Sequence, residues 1–66
     1  MWEFVFSDRH GFETAVNRLN HSDVPSWLHS LVELRILIYS ADDKEFLLQQ
    51  LVLLGVPETS YRIKKI

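Results

Sequence analysis

Apolar and polar residues alternate with a period of two in three separate stretches of the chain. The stretch 2–6, WEFVF, places three aromatic rings on one side, and residues 32–39, VELRILIY, and 60–65, SYRIKK, follow the same pattern. Alternation of this kind is typical of β-strands with one buried face, and aromatic and β-branched residues favour strands. We therefore predict three strands, of which the middle one has the strongest pattern.

The segment after the first strand has the apolar spacing of an amphipathic helix. Apolar residues recur every three or four positions from Phe12 to Leu19, and Ser7 or Asp8 can cap the helix by accepting a backbone N–H. We predict a first helix that begins at residue 9 or 10 and ends at residue 20.

A second helix is predicted over residues 41–54, ADDKEFLLQQLVLL. Ser40 can cap its first turn, and the carboxylates that follow lie where the helix dipole favours negative charge. Gly55 is a suitable C-terminal residue because it adopts a left-handed backbone without a Cβ penalty, and Pro57 lies just beyond it.

The segment between the first helix and the middle strand has two interpretations. Pro25 removes a backbone donor, and Asp23 can cap a short helical turn within residues 23–31. Alternatively, residues 26–29 form an irregular edge strand. We favour the turn, because no hairpin sequence such as Asn-Gly separates this segment from the middle strand.

The predicted order of elements is β-α-β-α-β in one small domain, residues 1–66. Strands separated by helices favour crossover connections, so we predict an α/β or α+β two-layer sandwich with a three-stranded, mainly parallel sheet and both helices on one face. If residues 26–29 form a strand, the order becomes β-α-β-β-α-β, the ferredoxin-like arrangement. Both arrangements leave one sheet face open. The predicted core is Trp2, Phe4, Phe6, Phe12, Val16, Leu19, Leu34, Ile36, Ile38, Leu47, Leu48, Leu51, Leu54 and Ile63.

Composition limits the classes of protein to consider. The chain has no cysteine, so disulfides and thiolate metal sites are excluded. No apolar run approaches a membrane span, the stretch Leu51–Leu54 being among the longest, and the start of the chain lacks the pattern of a signal peptide. We expect a cytoplasmic protein that does not interact with membranes.

The residue types of catalytic and metal sites occur without the spacing that such sites need. The three histidines match no metal-ligand pattern such as i and i+4. Asp23, Ser26 and His29 lie too close together in the chain to build a catalytic triad with an oxyanion hole. The acidic run at residues 42–45 lacks the spacing of a calcium loop. We predict a protein that is not an enzyme and has no cofactor or metal site.

The chain has more large apolar residues than one core layer can bury. Some of them fall on the open sheet face and on the outer side of the second helix, and a cluster of exposed apolar residues usually marks a contact surface. We therefore predict a protein-interaction or regulatory module that forms a homodimer or binds another protein. The candidate contact residues are Val5, Leu37, Tyr39 and Ile66 on the sheet and Phe46 and Leu53 on the helix.

The distribution of charge supports an alternative function, nucleic-acid binding. Residues 59–66 hold three bases and no acid, although the net charge is −2. An open sheet face with an aromatic ring and basic side chains can stack bases and hold phosphates. Glu3 and Glu33, on the same predicted face, weigh against this function. The candidate nucleic-acid contacts are Arg35, Tyr39, Arg62 and Lys64.

Overall fold

A computed structural model describes residues 1–66 and contains two helices and four strands. The first strand, both helices and the last strand agree with the sequence predictions to within one residue, and one strand is additional. The elements in chain order are β1 (Trp2–Phe6), α1 (Arg9–Asn20), β2 (Trp27–Ser30), β3 (Arg35–Ile38), α2 (Ala41–Leu53), a 3₁₀ turn (Glu58–Ser60) and β4 (Tyr61–Lys65).

The sheet has four strands in the order β2-β3-β1-β4, and every neighbouring pair is antiparallel. The prediction of a three-stranded, mainly parallel sheet with β-α-β-α-β order is therefore wrong. The additional strand β2 reverses the chain before β3, so β3 enters the sheet antiparallel to β1, whereas a single helical crossover would make the two parallel. The result is the ferredoxin-like alternative, an α+β sandwich with both helices on one side of the sheet.

The middle predicted strand is shorter than its apolar alternation indicates. Residues 31–34 form the turn between β2 and β3, and Val32 is 93% exposed there. The hydroxyl of Ser30 stabilises the turn by accepting the N–H of Glu33 at 3.3 Å. Leu34 has a left-handed backbone, φ 53°, which usually favours glycine or asparagine. The predicted strand over residues 32–39 is too long because Leu34 occupies a turn position where glycine or asparagine would have indicated a hairpin.

Both helices begin at capping residues that the sequence indicates. The carboxylate of Asp8 accepts the N–H of Gly11 at 2.7 Å, and the hydroxyl of Ser40 accepts the N–H of Asp43 at 3.1 Å. These bonds satisfy N–H groups that have no partner within the helix. α2 ends just before Gly55, whose left-handed backbone, φ 78°, redirects the chain toward β4.

The core lies between the two helices and one face of the sheet. Four aromatic rings from β1, α1 and β4 meet in it, with centroids 5.6 to 6.4 Å apart. Two predicted core residues, Leu54 and Ile63, are instead 49% and 37% exposed, because Leu54 follows the end of α2 and Ile63 lies on an edge strand. Val56 is buried instead, and its N–H donates to the carbonyl of Leu51 at 2.9 Å. The predicted core residues that are only half-buried are Trp2, Val16, Leu34 and Leu48.

Candidate interaction surface

Strand register organises the sheet face that the helices do not cover. In one row across this open face, Leu28 pairs with Leu37, Leu37 with Glu3, and Glu3 with Lys64. Side chains in a row lie beside one another, so the row changes from apolar to charged between β3 and β1. The next row along the strands contains Ser30, Arg35, Val5 and Arg62.

Most apolar residues of the open face gather at one end of it. Ile66 donates its backbone N–H to the carbonyl of Met1 at 2.9 Å, and the β1–β3 register continues to place Tyr39 beside Met1. Leu28 is 54% exposed and Tyr39 is 43% exposed, while Leu37 is half-buried. Leu28 and Leu37 also line a shallow groove of about 230 Å³. These five residues, Met1, Leu28, Leu37, Tyr39 and Ile66, form what we term the apolar end.

The other end of the open face is charged. Arg35 donates to the carboxylate of Glu3 at 3.1 Å and lies 3.2 Å from that of Glu33, so its guanidinium is held between two acids. Arg62 and Lys64 form no ion pair. The charged end therefore presents two unpaired cations at one margin of the sheet. It consists of Glu3, Arg35, Arg62 and Lys64, which surround Val5.

Charge is separated between the open face and the rest of the molecule. The charged end together with Glu33, whose carboxylate pairs with Arg35, has three bases and two acids, which gives +1, whereas the remaining residues hold four bases and seven acids, which gives −3. Together these values account for the net charge of −2. The open face is therefore positive on a protein that is acidic elsewhere, and at low ionic strength it favours acidic partners.

The structure separates the predicted contact residues into two surfaces. Phe46 and Leu53 lie on α2, in the helical layer on the opposite side of the sheet from the open face. Phe46 is half-buried beneath the guanidinium of Arg18, which lies 5.1 Å from the ring centroid, and Leu53 is 76% exposed. The predicted contact residues that share the open face are Val5, Leu37, Tyr39 and Ile66.

The candidate nucleic-acid contacts all lie on the open face, but at its two different ends. Arg35, Arg62 and Lys64 belong to the charged end, and Tyr39 belongs to the apolar end. The row that contains Leu37 separates the aromatic ring from Arg35. A ligand that stacks on Tyr39 and contacts Arg35 or Arg62 would therefore need to span three rows of the sheet, whereas Lys64 lies in the middle row.

Sequence reasoning missed two residues of the apolar end, Met1 and Leu28. The signal for Leu28 is the alternation within β2, where Trp27 and His29 face the helices with ring centroids 5.2 Å apart. His29 also lies 6.2 Å from the ring of Phe12 in α1. A pattern of four residues is too short to distinguish a strand from a helical turn by periodicity.

The histidines do not converge on a metal site. His21 lies at the C-terminal cap of α1 with a ring nitrogen 2.8 Å from the carbonyl of Asn17, and His29 packs beside Trp27. His10 is exposed in the first turn of α1. No three residues able to ligate a metal lie together in the protein.

Burial alters the titration of Tyr61 on β4. This residue is 8% exposed, and its ring centroid lies 5.6 Å from that of Phe6. Burial raises the pKa of the Tyr61 hydroxyl above its ordinary value of 10.0, and the carboxylate of Glu58 raises it further. The ring therefore belongs to the core rather than to the open face.

The helices of this protein are short. α1 has 12 residues and α2 has 13, and neither is long and apolar enough to cross a membrane. Comparison of the chain with protein-family models, curated proteins and solved structures finds no match.

Proposed function

We propose that this chain is a non-enzymatic protein-interaction module that forms a weak homodimer through its open sheet face. The apolar end carries this proposal. Its side chains are contiguous, four of the five are at least 40% exposed, and no helix covers them. Single exposed apolar residues are ordinary, but a contiguous group on one face usually marks a contact surface.

The size of the sheet limits the area that such a dimer can bury. Four strands about 4.8 Å apart and five residues at about 3.4 Å each span roughly 19 by 17 Å, a projected area of about 320 Å². A standard interface buries about 800 Å² on each partner. An area of about 800 Å² is nearly a fifth of the 4313 Å² surface of this protein and more than twice the projected area of the sheet. We therefore expect weak association, with a dissociation constant between about 10 μM and 1 mM.

A two-fold arrangement also accommodates the charges. An axis that crosses the strands at the apolar end would stack the two apolar ends and direct the charged ends to opposite sides of the interface. Arg62 and Lys64 would then remain in the solvated rim, where charged residues cost little. Overlap limited to the apolar end is a second reason to expect weak association.

Replacing Leu37 by lysine tests the proposal. The new ammonium would lie opposite Glu3, its cross-strand neighbour, so the sheet can accept it, whereas a dimer would have to bury it. We expect Leu37→Lys to abolish concentration-dependent association in sedimentation velocity and to retain cooperative unfolding. Leu53→Lys on α2 is the matched control and should leave association unchanged. Ile36→Lys should unfold the protein, because Ile36 is 0% exposed.

Three outcomes would contradict the proposal. Wild-type protein that stays monomeric at about 1 mM would exclude a homodimer in the expected range. Unfolding of Leu37→Lys to the same degree as Ile36→Lys would show that Leu37 does not face solvent. Loss of association in Leu53→Lys would assign the contact to α2 instead of the sheet.

Nucleic-acid binding is the second candidate function, and the net positive charge of the open face, +1 when Glu33 is included, favours it. It ranks second because Glu3 and Glu33 already hold Arg35, which leaves fewer free cations than the sequence indicates. The variant Leu37→Lys separates the two functions: it adds positive charge to the open face, so it should weaken a homodimer and strengthen phosphate binding. Gel shifts with single-stranded RNA and DNA over a salt series measure the latter, since phosphate contacts weaken as salt rises.

A further inference from the structure

The edge of β4 presents backbone groups in a fixed alternation. Ser7 donates its N–H to the carbonyl of Ser60 at 2.8 Å, and Ile66 donates to the carbonyl of Met1 at 2.9 Å. Hydrogen-bonded pairs alternate along an antiparallel ladder, so every second residue between these two points bonds to β1. The residues whose backbone N–H and C=O groups point away from the sheet are Tyr61, Ile63 and Lys65.

Basic side chains lie on both sides of this edge. Arg62 and Lys64 project on the open face and form no ion pair. On the helical side, the ammonium of Lys65 lies 5.6 Å from the ring centroid of Trp2, and that of Lys44 lies 4.1 Å from the same centroid. β4 itself contains no acidic residue. The edge therefore favours negatively charged ligands on the open face, whereas on the helical side Lys65 lies at one end of β4 and Glu58 precedes the other.

These charges oppose pairing of the edge with a second copy of itself. A two-fold antiparallel pairing centred on Ile63 would place Arg62 of each copy opposite Lys64 of the other, and like charges directly opposite destabilise a sheet. Charged residues on an exposed strand are a general protection against edge-to-edge association. A foreign strand with acidic residues at the corresponding positions would meet opposite charges instead.

A groove beside the edge can accept apolar side chains. It has a volume of about 360 Å³ and lies between α2 and β4 on the helical side of the sheet. Because side chains alternate between the two faces of a strand, a strand added to β4 would direct every second side chain into this groove and the others toward Arg62 and Lys64. The groove is lined by Leu48, Glu58, Thr59, Tyr61 and Ile63.

We propose that the β4 edge binds an extended protein segment in which acidic and apolar residues alternate, by adding that segment to the sheet as a further strand. Its backbone bonds the free groups of Tyr61, Ile63 and Lys65, its apolar side chains enter the groove, and its acidic side chains meet Arg62 and Lys64. The site is an edge of the sheet, so it goes beyond the homodimer proposed above and does not depend on it.

A fluorescein-labelled peptide of alternating glutamate and valine is the probe, with binding followed by fluorescence anisotropy. One control peptide replaces every glutamate by lysine, and a second is methylated at every backbone nitrogen, so it cannot donate ladder hydrogen bonds. We expect the glutamate–valine peptide to bind at low salt, to weaken as salt rises, and to exceed both controls by at least about ten-fold in affinity.

The protein variants Lys64→Glu and Arg9→Glu change the net charge equally and separate the edge from general electrostatics. Arg9 is exposed on α1, where its only ion pair is with Glu13 at 2.8 Å. We expect Lys64→Glu to weaken peptide binding by about ten-fold or more and Arg9→Glu by less than about two-fold, because screened charges act over a short range. Equal losses in the two variants would overturn the proposal.

Hydrogen exchange of single backbone amides supplies the decisive readout. On binding of the glutamate–valine peptide, the amides of Tyr61, Ile63 and Lys65 should exchange more slowly, while those of Arg62 and Lys64, which already bond to β1, should change little. Side-chain electrostatics alone cannot produce this alternation. Binding without alternating protection of these amides, or equal binding of the methylated peptide, would show that no strand is added at this edge.

Discussion

Gly11 lies where α1 packs against β1 and the segment after α2. A Cβ at this position would lie 3.2 Å from a carboxylate oxygen of Asp8, 3.3 Å from a ring carbon of Phe6 and 3.4 Å from a methyl of Val56. Phe6 and Val56 are 3% and 6% exposed, so other core atoms surround both and leave them little room to move. We therefore predict that Gly11→Ala destabilises the protein, although alanine is the better helix former.

One stabilising effect and two destabilising effects determine how Gly11→Ala changes the free energy of unfolding. Alanine in place of glycine within a helix contributes up to about 1 kcal/mol of stability. An extra methyl group in a well-packed core costs about 1 to 3 kcal/mol. Displacing Asp8, whose carboxylate now accepts the N–H of Gly11 at 2.7 Å, also weakens a cap worth about 0.5 to 2 kcal/mol. The expected net result is a loss of about 1 to 2 kcal/mol from a total that is on the order of 3 to 10 kcal/mol for a domain of this size.

Gly55 provides the matched control, because its constraint is the backbone and not the space around it. A Cβ there would meet nothing within 4 Å, but φ is +78°. Gly55→Ala should cost about 1 kcal/mol through the left-handed backbone, and Gly55→Asn should cost less because asparagine tolerates that conformation. Urea unfolding followed by circular dichroism measures all three variants, with an unchanged m-value as the test of a common denatured state. A Gly11→Ala variant that is more stable than wild type by about 1 kcal/mol would refute the close approach of α1 to Phe6 and Val56.

Two further predictions use the same unfolding assay. Because burial raises the pKa of Tyr61, its contribution to stability is complete below pH 10.0 and is lost as the pH rises through the folded-state pKa. The free energy of unfolding should therefore fall above about pH 10. The fall should be less steep in Tyr61→Phe than in the exposed control Tyr39→Phe, and equal slopes in the two variants would contradict this prediction. Leu51→Ala, at a position 0% exposed, should lose about 2 to 5 kcal/mol, and Leu53→Ala, at one 76% exposed, less than about 0.5 kcal/mol. Similar losses would show that the buried side of α2 is assigned wrongly.

Long periodic elements can be predicted from this sequence, whereas a short strand and an unusual turn cannot. β1, both helices and β4 repeat their patterns over at least five residues, and residues such as Asp8 and Ser40 identify the helix starts. β2 has only four residues, and its hairpin requires Leu34 in a conformation that leucine disfavours. Strand order depends on that hairpin, because without β2 the chain would have to reach β3 by a parallel crossover. One strand, which the sequence offers at residues 26–29 only as the less favoured alternative, therefore changes the topology of the whole sheet.

Alternation along each strand predicts which residues lie on the open face, but it does not predict which of them are neighbours. Alternation alone places Leu37 and Tyr39 on the side opposite the core. The contact of Leu28 with Leu37 depends on which strands are neighbours, and this information is absent from any single strand. The outer side of α2 is also ambiguous, because its second half is apolar nearly all round. The sequence therefore gives no reason to expect different exposure for Phe46 and Leu53. In the structure, Arg18 covers Phe46, whereas Leu53 is 76% exposed.

The same register that builds the core also determines the two ends of the open face. A shift of β3 by one residue relative to β1 would move Ile36 and Ile38, both 0% exposed, to the solvent side and bury Arg35 and Leu37 in their place. Loss of two fully buried large side chains would cost several kcal/mol, about 1.5 to 3 for each, so the register cannot adapt to changes on the outer face. Substitutions at the apolar end can therefore alter association while the core keeps the strands in place. This separation is what makes a solvent-facing variant such as Leu37→Lys a test of function rather than of folding.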